Sequence, residues 1–204
     1  TGDELMMPGD TLNHDQIFVS NTFGLAALLE NSGALPKILP IARDNLLSLK
    51  SVLKLAKGAD LIVTIGGASV GDHDLVAKAA AECGFKQSFY KVAMRPGKPL
   101  LAGHLDNVTL VGLPGNPVSA MICGHVFLVP MLHAMLGLGQ SARATLTAPL
   151  AHDVEANGSR KHFCRAILQK DGLHIAKRQD SSLLTILNHA NALAIRDLHA
   201  PRAV

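Results

Sequence analysis

The chain has 204 residues, a net charge of +3 and 48% hydrophobic residues, which is enough to bury a full core. Its apolar runs are broken by His, Gly and Pro well short of a bilayer span, so no membrane partner is expected. Only six Phe and one Tyr could stack on bases, and nucleic acid is therefore not an expected partner. The three scattered cysteines fit neither a disulfide framework nor a zinc pattern, which indicates reduced thiols. The first residues lack the charged-then-apolar pattern of a secretory signal, so a cytoplasmic location is expected. The first residue is not Met, and this predicts a fragment or a processed product.

Strand and helix patterns alternate over the first two thirds of the chain. Strands are expected over residues 16–20, 37–41, 60–65, 89–93 and 108–113. Helices are expected over residues 21–33, 44–58, 74–83 and 117–136. This alternation predicts a three-layer α/β domain with a parallel sheet, in which ligands bind at the carboxyl ends of the strands.

The pattern changes after a linker at residues 137–141. Short alternating segments follow over residues 145–150, 163–168, 173–176 and 193–195. They predict a small C-terminal all-β domain. Its last strand lies close to Val204, so an edge is expected to be unpaired or to be completed by missing sequence.

A Gly-rich loop over residues 66–74 follows an apolar strand directly. Its glycines let the backbone turn tightly and bring N–H groups close to an anion, and its serine adds a hydroxyl donor. Its two carboxylates would repel a bare phosphate, so we expect either a divalent metal or a ligand with a separate polar part. An ordinary strand–turn–helix connection has the same pattern. The residues are Gly66, Gly67, Ser69, Gly71, Asp72 and Asp74.

A second loop carries positive charge. Arg95 and Lys98 lie close together on a backbone stiffened by Pro96 and Pro99. Such a loop can hold a tetrahedral or terminal-phosphate anion without reorganisation. A solvated surface turn is the alternative, but an acidic Gly-rich loop at the same sheet edge favours the binding site.

A third loop precedes the longest helix. Asn116 is a good N-cap and Pro117 suits the first helical position. Pro114 and Gly115 lead into this turn, and free N–H groups with Ser119 offer an anion site. Helix capping alone explains the same residues, and the two roles are compatible.

Asp44 either caps a helix or faces the same cleft as Asp74, with Arg43 able to neutralise it. The ten histidines show no spacing typical of zinc ligands.

Arg160 and Arg165 flank Phe163 in the C-terminal segment, and Ser181 and Ser182 precede an apolar, helix-like run. From the residues alone these are surface cations and a helix cap.

Four motifs, taken in order, closely resemble the molybdopterin molybdenumtransferase family, which includes the E domain of gephyrin. They are TGDEL at residues 1–5, GGASVGDHD at 66–74, KVAMRPGKP at 91–99 and GLPGNPVSA at 112–120. The resemblance implies the tail of a missing N-terminal region over residues 1–15 and a molybdopterin-binding α/β domain over 16–138. It also implies a barrel-like β domain over 139–204, expected to be incomplete.

This family inserts molybdate into molybdopterin, with adenylylated molybdopterin as donor and magnesium-dependent hydrolysis of the adenylate. By resemblance, Asp44 and Asp74 are the catalytic carboxylates and the magnesium ligands. The implied cofactor-binding residues are Gly66, Gly67, Ser69, Gly71, Asp72, Pro114, Gly115, Asn116 and Ser119.

The resemblance also implies a molybdate pocket, since cations and hydroxyls suit a tetrahedral dianion. Its residues are Arg95, Lys98, Pro99, Arg160 and either Ser181 or Ser182. The family usually has Lys where Arg95 stands, and Arg changes the donor geometry.

The partners implied are small anionic substrates, a second copy of the full-length protein in a homodimer, pterin adenylyltransferase and downstream molybdoenzymes. Two alternatives stay open. One is a pterin adenylyltransferase of the same fold, and the other is a molybdopterin-binding or scaffold fragment without turnover.

Overall fold

The computed structural model describes residues 1–67, 75–139, 145–182 and 184–204. The strands are β1 (Leu5–Met6), β2 (Ile17–Phe18), β3 (Leu61–Ile65), β4 (Phe85–Tyr90), β5 (Met94–Arg95), β6 (Leu101–Leu105), β7 (Val108–Leu113), β8 (Lys161–Gln169), β9 (Gly172–Ile175) and β10 (Ala192–Arg196). The helices are α1 (Asn21–Glu30), α2 (Leu46–Leu55), α3 (Leu75–Glu82), α4 (Pro117–Cys123), α5 (Val129–Met135) and α6 (Leu184–His189), with a π-helical turn over Gly124–Leu128 between α4 and α5.

The main sheet has the strand order β3-β7-β6-β4. Only β3 and β7 pair in parallel, whereas β6 pairs antiparallel with both β7 and β4. The α/β class is correct, but the expectation of a parallel sheet is wrong for the described strands beyond this one pair. The reason is local, because the tight turn between β6 and β7 makes a hairpin, and a hairpin pairs its strands antiparallel.

The long predicted helix forms the centre of the core. It is interrupted by the π-helical turn, where a side chain on Gly124 would collide with Leu25 of α1. Pro117–Met135 is long and apolar enough to cross a membrane by length and composition, but half of its apolar window is buried inside the fold. Val118, Ile122 and Leu128 pack there with β7, as expected for a core helix.

Residues 37–41 do not form the expected strand. Pro40 lacks a backbone N–H, and a proline within an apolar run disfavours a paired strand. These residues line a cavity of about 920 Å³. Residues of β3, α1 and α2 line the same cavity. The strand expected at residues 16–20 is also reduced, to the two residues of β2, which pair in parallel with β1.

Two element boundaries differ from the predictions for clear reasons. Helix α2 is capped by Asn45 rather than Asp44, because the Asn45 Oδ1 atom accepts from the Ser48 backbone N–H at 2.8 Å. The strand predicted over residues 89–93 is β4 at Phe85–Tyr90, and it stops before Lys91, which has a positive φ of 72°.

The C-terminal sheet has the order β10-β8-β5, with β9 also paired to β8. The strand predicted over residues 145–150 is absent apart from a single bridge between Leu150 and Leu173. The strands expected over residues 163–168 and 193–195 lie within β8 and β10, and the one expected over 173–176 overlaps β9, which ends one residue earlier. Strand β5 pairs in parallel with β8, so the stretch before the cationic loop belongs to this sheet.

Candidate functional site

Three loops meet at one edge of the main sheet. The carboxyl ends of β3 and β7 lie side by side, since Ile65 pairs with Leu113. Strand β6 runs in the opposite direction, and its first residue Leu101 pairs with Gly112. The residues just before β6, which include Pro99, therefore lie beside the residues just after β7. Gly66 and Gly67, which begin the glycine loop, thus share this edge with the Pro114–Asn116 turn and with the end of the cationic loop.

The glycine loop needs its first two glycines for steric reasons. Gly66 and Gly67 have φ values of 80° and 69°, in the left-handed region that side chains disfavour. A Cβ atom on Gly66 would lie 2.9 Å from the Thr1 carbonyl oxygen, and one on Gly67 would lie 2.6 Å from Thr1 Oγ1 and would collide with Val76. The lack of side chains at Gly66 and Gly67 therefore lets Thr1 pack closely against the start of the glycine loop. Four of the predicted ligand-binding residues, Ser69, Gly71, Asp72 and Asp74, lie outside the described residues.

The turn after β7 packs against the glycine loop. A Cβ atom on Gly115 would lie 3.3 Å from the Gly66 Cα atom, and the Gly115 carbonyl accepts from Asn21 Nδ2 at 2.6 Å. Asn116 occupies the N-cap position without a side-chain capping bond. Its Oδ1 atom is buried and has no hydrogen-bond partner among the described residues. A buried amide oxygen is usually hydrogen-bonded in folded proteins, so Asn116 Oδ1 is an acceptor left available at this turn.

The predicted anion site at the start of α4 is partly used by the protein itself. The Val118 backbone N–H donates to the Ser181 carbonyl at 3.2 Å. Ser119 is only 5% exposed. This hydrogen bond brings Ser181, from the C-terminal segment, to the edge that carries the Pro114–Asn116 turn.

Asp44 is tied to the same edge through the first residues of the chain. The Thr1 backbone nitrogen donates to the Ile65 carbonyl at 2.7 Å, and the Gly2 N–H donates to the Ala42 carbonyl at 3.1 Å. The exposed Asp44 therefore follows a segment anchored beside the end of β3. Its backbone N–H donates to Asp3 Oδ1 at 3.0 Å.

This arrangement reveals a carboxylate that the sequence did not single out. The Asp3 carboxylate accepts from the Asp44 backbone N–H, so Asp3 adds a second acidic residue beside Asp44. Arg43 does not neutralise them through its side chain, because its Nη1 atom donates to the backbone carbonyls of Asp3 and Leu5 at 2.9 and 3.2 Å. The described residues contain no group of three His, Cys, Asp or Glu side chains that could hold a metal ion.

The cationic loop is packed firmly onto the core helix. Gly97 has a φ of 102°, and a side chain there would collide with the Cys123 sulfur. The Lys98 carbonyl accepts from the Val92 and Leu100 backbone N–H groups at 3.0 and 3.1 Å. Burial raises the pKa of Cys123 to about 12, so the group beneath the loop is a neutral thiol. The two charged side chains, Arg95 and Lys98, are exposed above it.

Arg165 is the most informative residue that the sequence did not place in the site. Its side chain is fully buried, and only its Nη2 atom has a partner among the described residues, the Asp180 carbonyl at 3.1 Å. Its Nε and Nη1 atoms are buried without one. Burial lowers the pKa of Arg165, Cys164 opposes this, and Arg95 lowers it further. An arginine nevertheless keeps its charge in proteins.

The charge of the nearby Asp180 carboxylate opposes the effect of burial on the pKa of Arg165, so a counter-charge lies in the neighbourhood. A buried donor without a hydrogen-bond partner nevertheless costs roughly 1–3 kcal/mol. The Nε and Nη1 atoms, which have no partner among the described residues, are therefore available to an anion. The signal that could have found this residue is the alternation along β8, where Arg165 shares the inward face with Phe163, a residue of the central core. An arginine on the buried face of a strand needs a partner.

Ser181 and Ser182 have different hydrogen-bond partners. The Ser182 hydroxyl and backbone N–H both bond to Asp180 Oδ1, at 2.8 and 2.9 Å, and these bonds lower the pKa of Asp180. Ser181 is joined to Val118 through its carbonyl, and it follows the residue whose carbonyl binds Arg165. The structure thus brings Ser181 to Arg165 through the backbone and commits the Ser182 side chain elsewhere.

The predicted Arg160 lies just before β8. Its carbonyl accepts from Asn157 Nδ2 at 2.9 Å. Residue 161 is linked to the chain before the cationic loop, since its N–H donates to the Ala93 carbonyl at 2.9 Å. Arg160 is therefore brought near Arg95, and its charge acts on the neighbouring His162.

An α/β domain whose strand ends carry a glycine loop and a cationic loop, followed by a small β domain, has recognisable relatives. Residues 1–134 match the family described as the probable molybdopterin binding domain, and residues 147–202 match the MoeA C-terminal region, domain IV. The chain therefore belongs to the molybdopterin molybdenumtransferase family.

Two relatives illustrate the similarity. The chain is 36% identical over 174 residues to molybdopterin molybdenumtransferase 2 of Mycobacterium tuberculosis, covering 82% of this chain and 43% of the relative. It is 33% identical over 208 residues to the molybdopterin molybdenumtransferase of Nostoc sp., covering 97% of this chain and 48% of the relative. The chain spans about half the length of the curated relatives it matches.

Solved structures share the fold. A molybdopterin biosynthesis MoeA protein from Pyrococcus horikoshii superposes with a TM-score of 0.81 at 26% identity, over 98% of this chain and 49% of that one. A molybdenum cofactor biosynthesis protein from Pyrococcus furiosus superposes with a TM-score of 0.72 at 22% identity, over 90% of this chain and 61% of that one, which is evidence of fold alone.

Proposed function

We propose that this chain takes part in molybdenum cofactor biosynthesis as a molybdenum insertase. In this reaction molybdate is inserted into molybdopterin, and the adenylate of adenylylated molybdopterin is hydrolysed with magnesium. The observation that carries the proposal is the fully buried Arg165 guanidinium, whose Nε and Nη1 atoms have no partner among the described residues. Such a group is costly in a protein that binds no anion there.

Molybdate is a tetrahedral dianion, and the residues around Arg165 suit it. Arg165 would donate from Nε and Nη1, the two nitrogens of its planar guanidinium that have no partner among the described residues. The Ser181 hydroxyl, adjacent to the Asp180 carbonyl that fixes Nη2, would add a neutral donor. Arg95 and Lys98, exposed on the rigid loop that ends at Pro99, would attract the anion from solvent.

The sheet edge suits the pterin and adenylate parts of the substrate. Gly66, Gly67 and Gly115 leave backbone accessible where side chains would collide. The orphan Asn116 Oδ1 would accept a hydrogen bond from an N–H or O–H group of the ligand. Ser69, Gly71 and Asp72 are proposed to complete the same site from the remainder of the glycine loop, with Pro114 and Ser119 shaping the opposite wall.

Magnesium fits the carboxylates at this edge. It prefers oxygen ligands and is commonly held by one or two carboxylates, waters and substrate phosphates, so a cage of three protein ligands is not required. Asp44 would supply one carboxylate and Asp74 another, with Asp3 beside Asp44. The bound ion would offset the repulsion between these carboxylates and the substrate pyrophosphate.

The proposed setting is the cytoplasm, with the full-length protein working as a homodimer. Pterin adenylyltransferase would deliver the adenylylated substrate, and molybdoenzymes would receive the product. The neighbouring mixed sheet with its appended β domain supports the insertase over the adenylyltransferase itself, because the C-terminal residues 147–202 match the MoeA C-terminal region.

Calorimetric titration of molybdate tests the proposed molybdate pocket at Arg165. Arg165→Gln should weaken molybdate binding roughly 10- to 100-fold, the size of one or more charge-assisted hydrogen bonds. Arg202→Gln is the matched control, because Arg202 is an exposed arginine whose Nη2 atom lies 2.6 Å from Asp153 Oδ2. The Arg202→Gln variant should bind molybdate as the parent does. Equal affinities for the parent and Arg165→Gln would refute the pocket.

Release of AMP from adenylylated molybdopterin tests turnover. Asp44→Asn should abolish magnesium-dependent AMP release. It should leave molybdate affinity within about twofold, because Asp44 lies at the sheet edge proposed for the pterin and adenylate rather than at Arg165. A parent chain that binds both substrates and releases no AMP would instead be a binding fragment without turnover.

A further inference from the structure

The outer edge of β3 faces no other strand in the described part of the chain, because β3 stands at the end of the order β3-β7-β6-β4. The Gly66 N–H donates to the Leu113 carbonyl of β7, and the backbone groups of alternate residues face opposite edges of a strand. Val63 and Ile65 therefore turn their N–H and carbonyl groups away from β7. Of these four groups, only the Ile65 carbonyl has a partner among the described residues, the Thr1 nitrogen at 2.7 Å.

A second stretch of unpaired backbone borders the same cavity as β3. Residues 35–41 neither donate nor accept a backbone hydrogen bond with any other described residue. They line the cavity of about 920 Å³ together with all five residues of β3. An unpaired strand edge is a template for pairing with another extended segment. Two sets of backbone donors and acceptors are thus available to a strand placed in this cavity.

The first two residues of the chain lie between these stretches as a strand would. The Thr1 nitrogen donates to the Ile65 carbonyl on one side, and the Gly2 N–H donates to the Ala42 carbonyl at 3.1 Å on the other. Successive N–H groups that point to opposite neighbours are the pattern of an extended strand inside a sheet. The space between the end of β3 and Ala42 is therefore one strand wide.

The size of the cavity fits one strand as long as β3. A strand of five residues is about 16 Å long, lies about 4.8 Å from its neighbour and belongs to a layer about 10 Å thick, which corresponds to roughly 800 Å³. The cavity has a volume of about 920 Å³. A single extended segment of about five residues would therefore fill most of it.

The two other strand patterns near the cavity do not supply this segment. Residues 16–20 are committed to β1, since the Ile17 N–H donates to the Glu4 carbonyl at 2.8 Å and the Val19 N–H to the Met6 carbonyl at 2.9 Å. Residues 37–41 are kept from β3 by the chain at Thr1, which lies between the two. The segment must therefore come from elsewhere.

We propose that this cavity, which we call the strand slot, receives the five residues that directly precede Thr1 in the longer protein. They form a strand parallel to β3, and residues 37–41 pair with its other edge. The curated relatives are about twice as long as this chain. Because Thr1 packs against Gly66 and Gly67, the inserted strand would also hold the start of the glycine loop.

The neighbours of the strand slot determine the chemistry of its occupant. Val63 packs on the core cluster that contains α4 residues, whereas Ile62 belongs to the cluster that contains α2 and α3 residues. A strand beside β3 is therefore buried on both faces, which requires a continuous run of Val, Ile or Leu. The hydrogen bond from Thr1 to Ile65 sets the register, because it places the residue directly before Thr1 opposite Ile65.

Amide hydrogen exchange tests the strand slot in a chain extended before Thr1. An added Val-Ile-Val-Ile-Val segment should slow the exchange of the Val63 and Ile65 N–H groups at least roughly tenfold, because both gain hydrogen bonds inside the sheet. The Thr64 N–H faces β7 and should slow less. A Gly-Ser-Gly-Ser-Gly segment is the matched control, and it should leave all three rates within about twofold of the parent. Equal rates in the two extended chains would refute the proposal.

A proline in the added segment separates strand pairing from mere apolar contact. The N–H two residues before Thr1 would donate to the Val63 carbonyl, and Val-Ile-Val-Pro-Val lacks this donor while staying apolar. Val-Ile-Val-Ile-Val should raise the melting temperature by at least about 5 °C, and the proline segment should not. Equal shifts would overturn the pairing. Sedimentation should show a monomer at low concentration, and protection that appears only in a dimer would assign the slot to a second copy instead.

The strand slot and the molybdate pocket can fail separately. The exchange rates of β3 are measured without any ligand, and molybdate binding at Arg165 does not enter the comparison. Slower exchange at Val63 and Ile65 would support the strand slot even in a chain that binds no molybdate.

Discussion

The side chain of Gln179 holds both backbone groups of Arg165. Its Oε1 atom accepts from the Arg165 N–H at 2.9 Å, and its Nε2 atom donates to the Arg165 carbonyl at 3.0 Å and to the Ala176 carbonyl at 2.8 Å. A glutamine amide here mimics a neighbouring strand, because it offers a donor and an acceptor side by side. The backbone that carries the Arg165 guanidinium is therefore fixed by the Gln179 side chain.

Replacing Gln179 should affect stability and anion binding together. Gln179→Ala removes three hydrogen bonds and leaves the Arg165 N–H unpaired, whereas the Arg165 carbonyl still accepts from the Ala176 N–H at 3.0 Å. This loss should lower the free energy of unfolding by about 1–3 kcal/mol. Urea unfolding measures this loss, and molybdate affinity should fall as Arg165 loses its fixed position. Gln169→Ala, at an exposed position of the same strand β8, is the control and should change stability by less than about 0.5 kcal/mol. Equal effects of the two substitutions would contradict the stabilising role of the hydrogen bonds between Gln179 and the Arg165 backbone.

Removing the charge of Arg165 should separate stability from binding. Arg165→Met fills similar volume and removes a buried guanidinium that has two unpartnered nitrogens, so the ligand-free variant should be as stable as the parent or more stable by about 1 kcal/mol. Added molybdate should raise the melting temperature of the parent through binding linkage and leave that of Arg165→Met unchanged. Thermal unfolding with and without molybdate measures both effects. A large loss of stability without ligand would show that the charge has a structural role.

The parts of the site that the sequence predicted are those whose chemistry is local. The turn at Gly66 and Gly67 follows from glycine in the left-handed region, and the end of β7 follows from the Pro114–Asn116 turn. The same local reasoning placed the helix start at Asp44, although Asn45 caps it, because two adjacent residues with similar capping strength cannot be ranked without the backbone angles. Local patterns thus identify the loops and miss single-residue choices within them.

The features of the fold and the site that the sequence could not predict depend on pairing between distant segments. Arg165 is an ordinary arginine in a strand pattern until the fold buries it completely against the core. The parallel pairing of β5 with β8 joins two segments more than sixty residues apart, and a two-residue strand such as Met94–Arg95 has no periodicity to detect. The order of the main sheet likewise follows from the β6–β7 hairpin, which the alternation of strands and helices does not reveal.

The glycine loop should be intolerant of a side chain. Gly67→Ala forces a left-handed backbone on alanine at φ 69° and brings its Cβ to 2.6 Å from Thr1 Oγ1 as well as into Val76. We expect a loss of about 2–4 kcal/mol in the free energy of unfolding, from strain and overpacking. Gly58→Ala is the matched control, since Gly58 has a φ of 87° and open space around its Cβ position, and it should cost only about 1 kcal/mol. Chemical denaturation of both variants should show this order, and similar losses would mean that the contacts at Gly67 are relieved by movement.

His162 should make the stability of the protein depend on pH in the acid range. Its pKa is lowered to about 4 in the folded chain by burial and then by Arg95, Arg165 and Arg160, whereas the unfolded chain should have the ordinary value of 6.5. Between these values the unfolded state binds the extra proton, so the free energy of unfolding should fall as the pH is lowered from about 6.5 to about 4. The half-buried position reduces the effect to about 1–2 kcal/mol.

Unfolding midpoints measured in urea from pH 4 to pH 7 should show this slope, and His162→Gln should flatten it because glutamine does not titrate. His174→Gln is the comparison, since His174 forms a partly exposed pair with Asp171, which the substitution also removes. That variant should keep the slope between pH 4 and 6.5 that His162 produces. A slope that survives His162→Gln would assign the acid sensitivity to other groups and would contradict the burial of a neutral imidazole between Arg95 and Arg196.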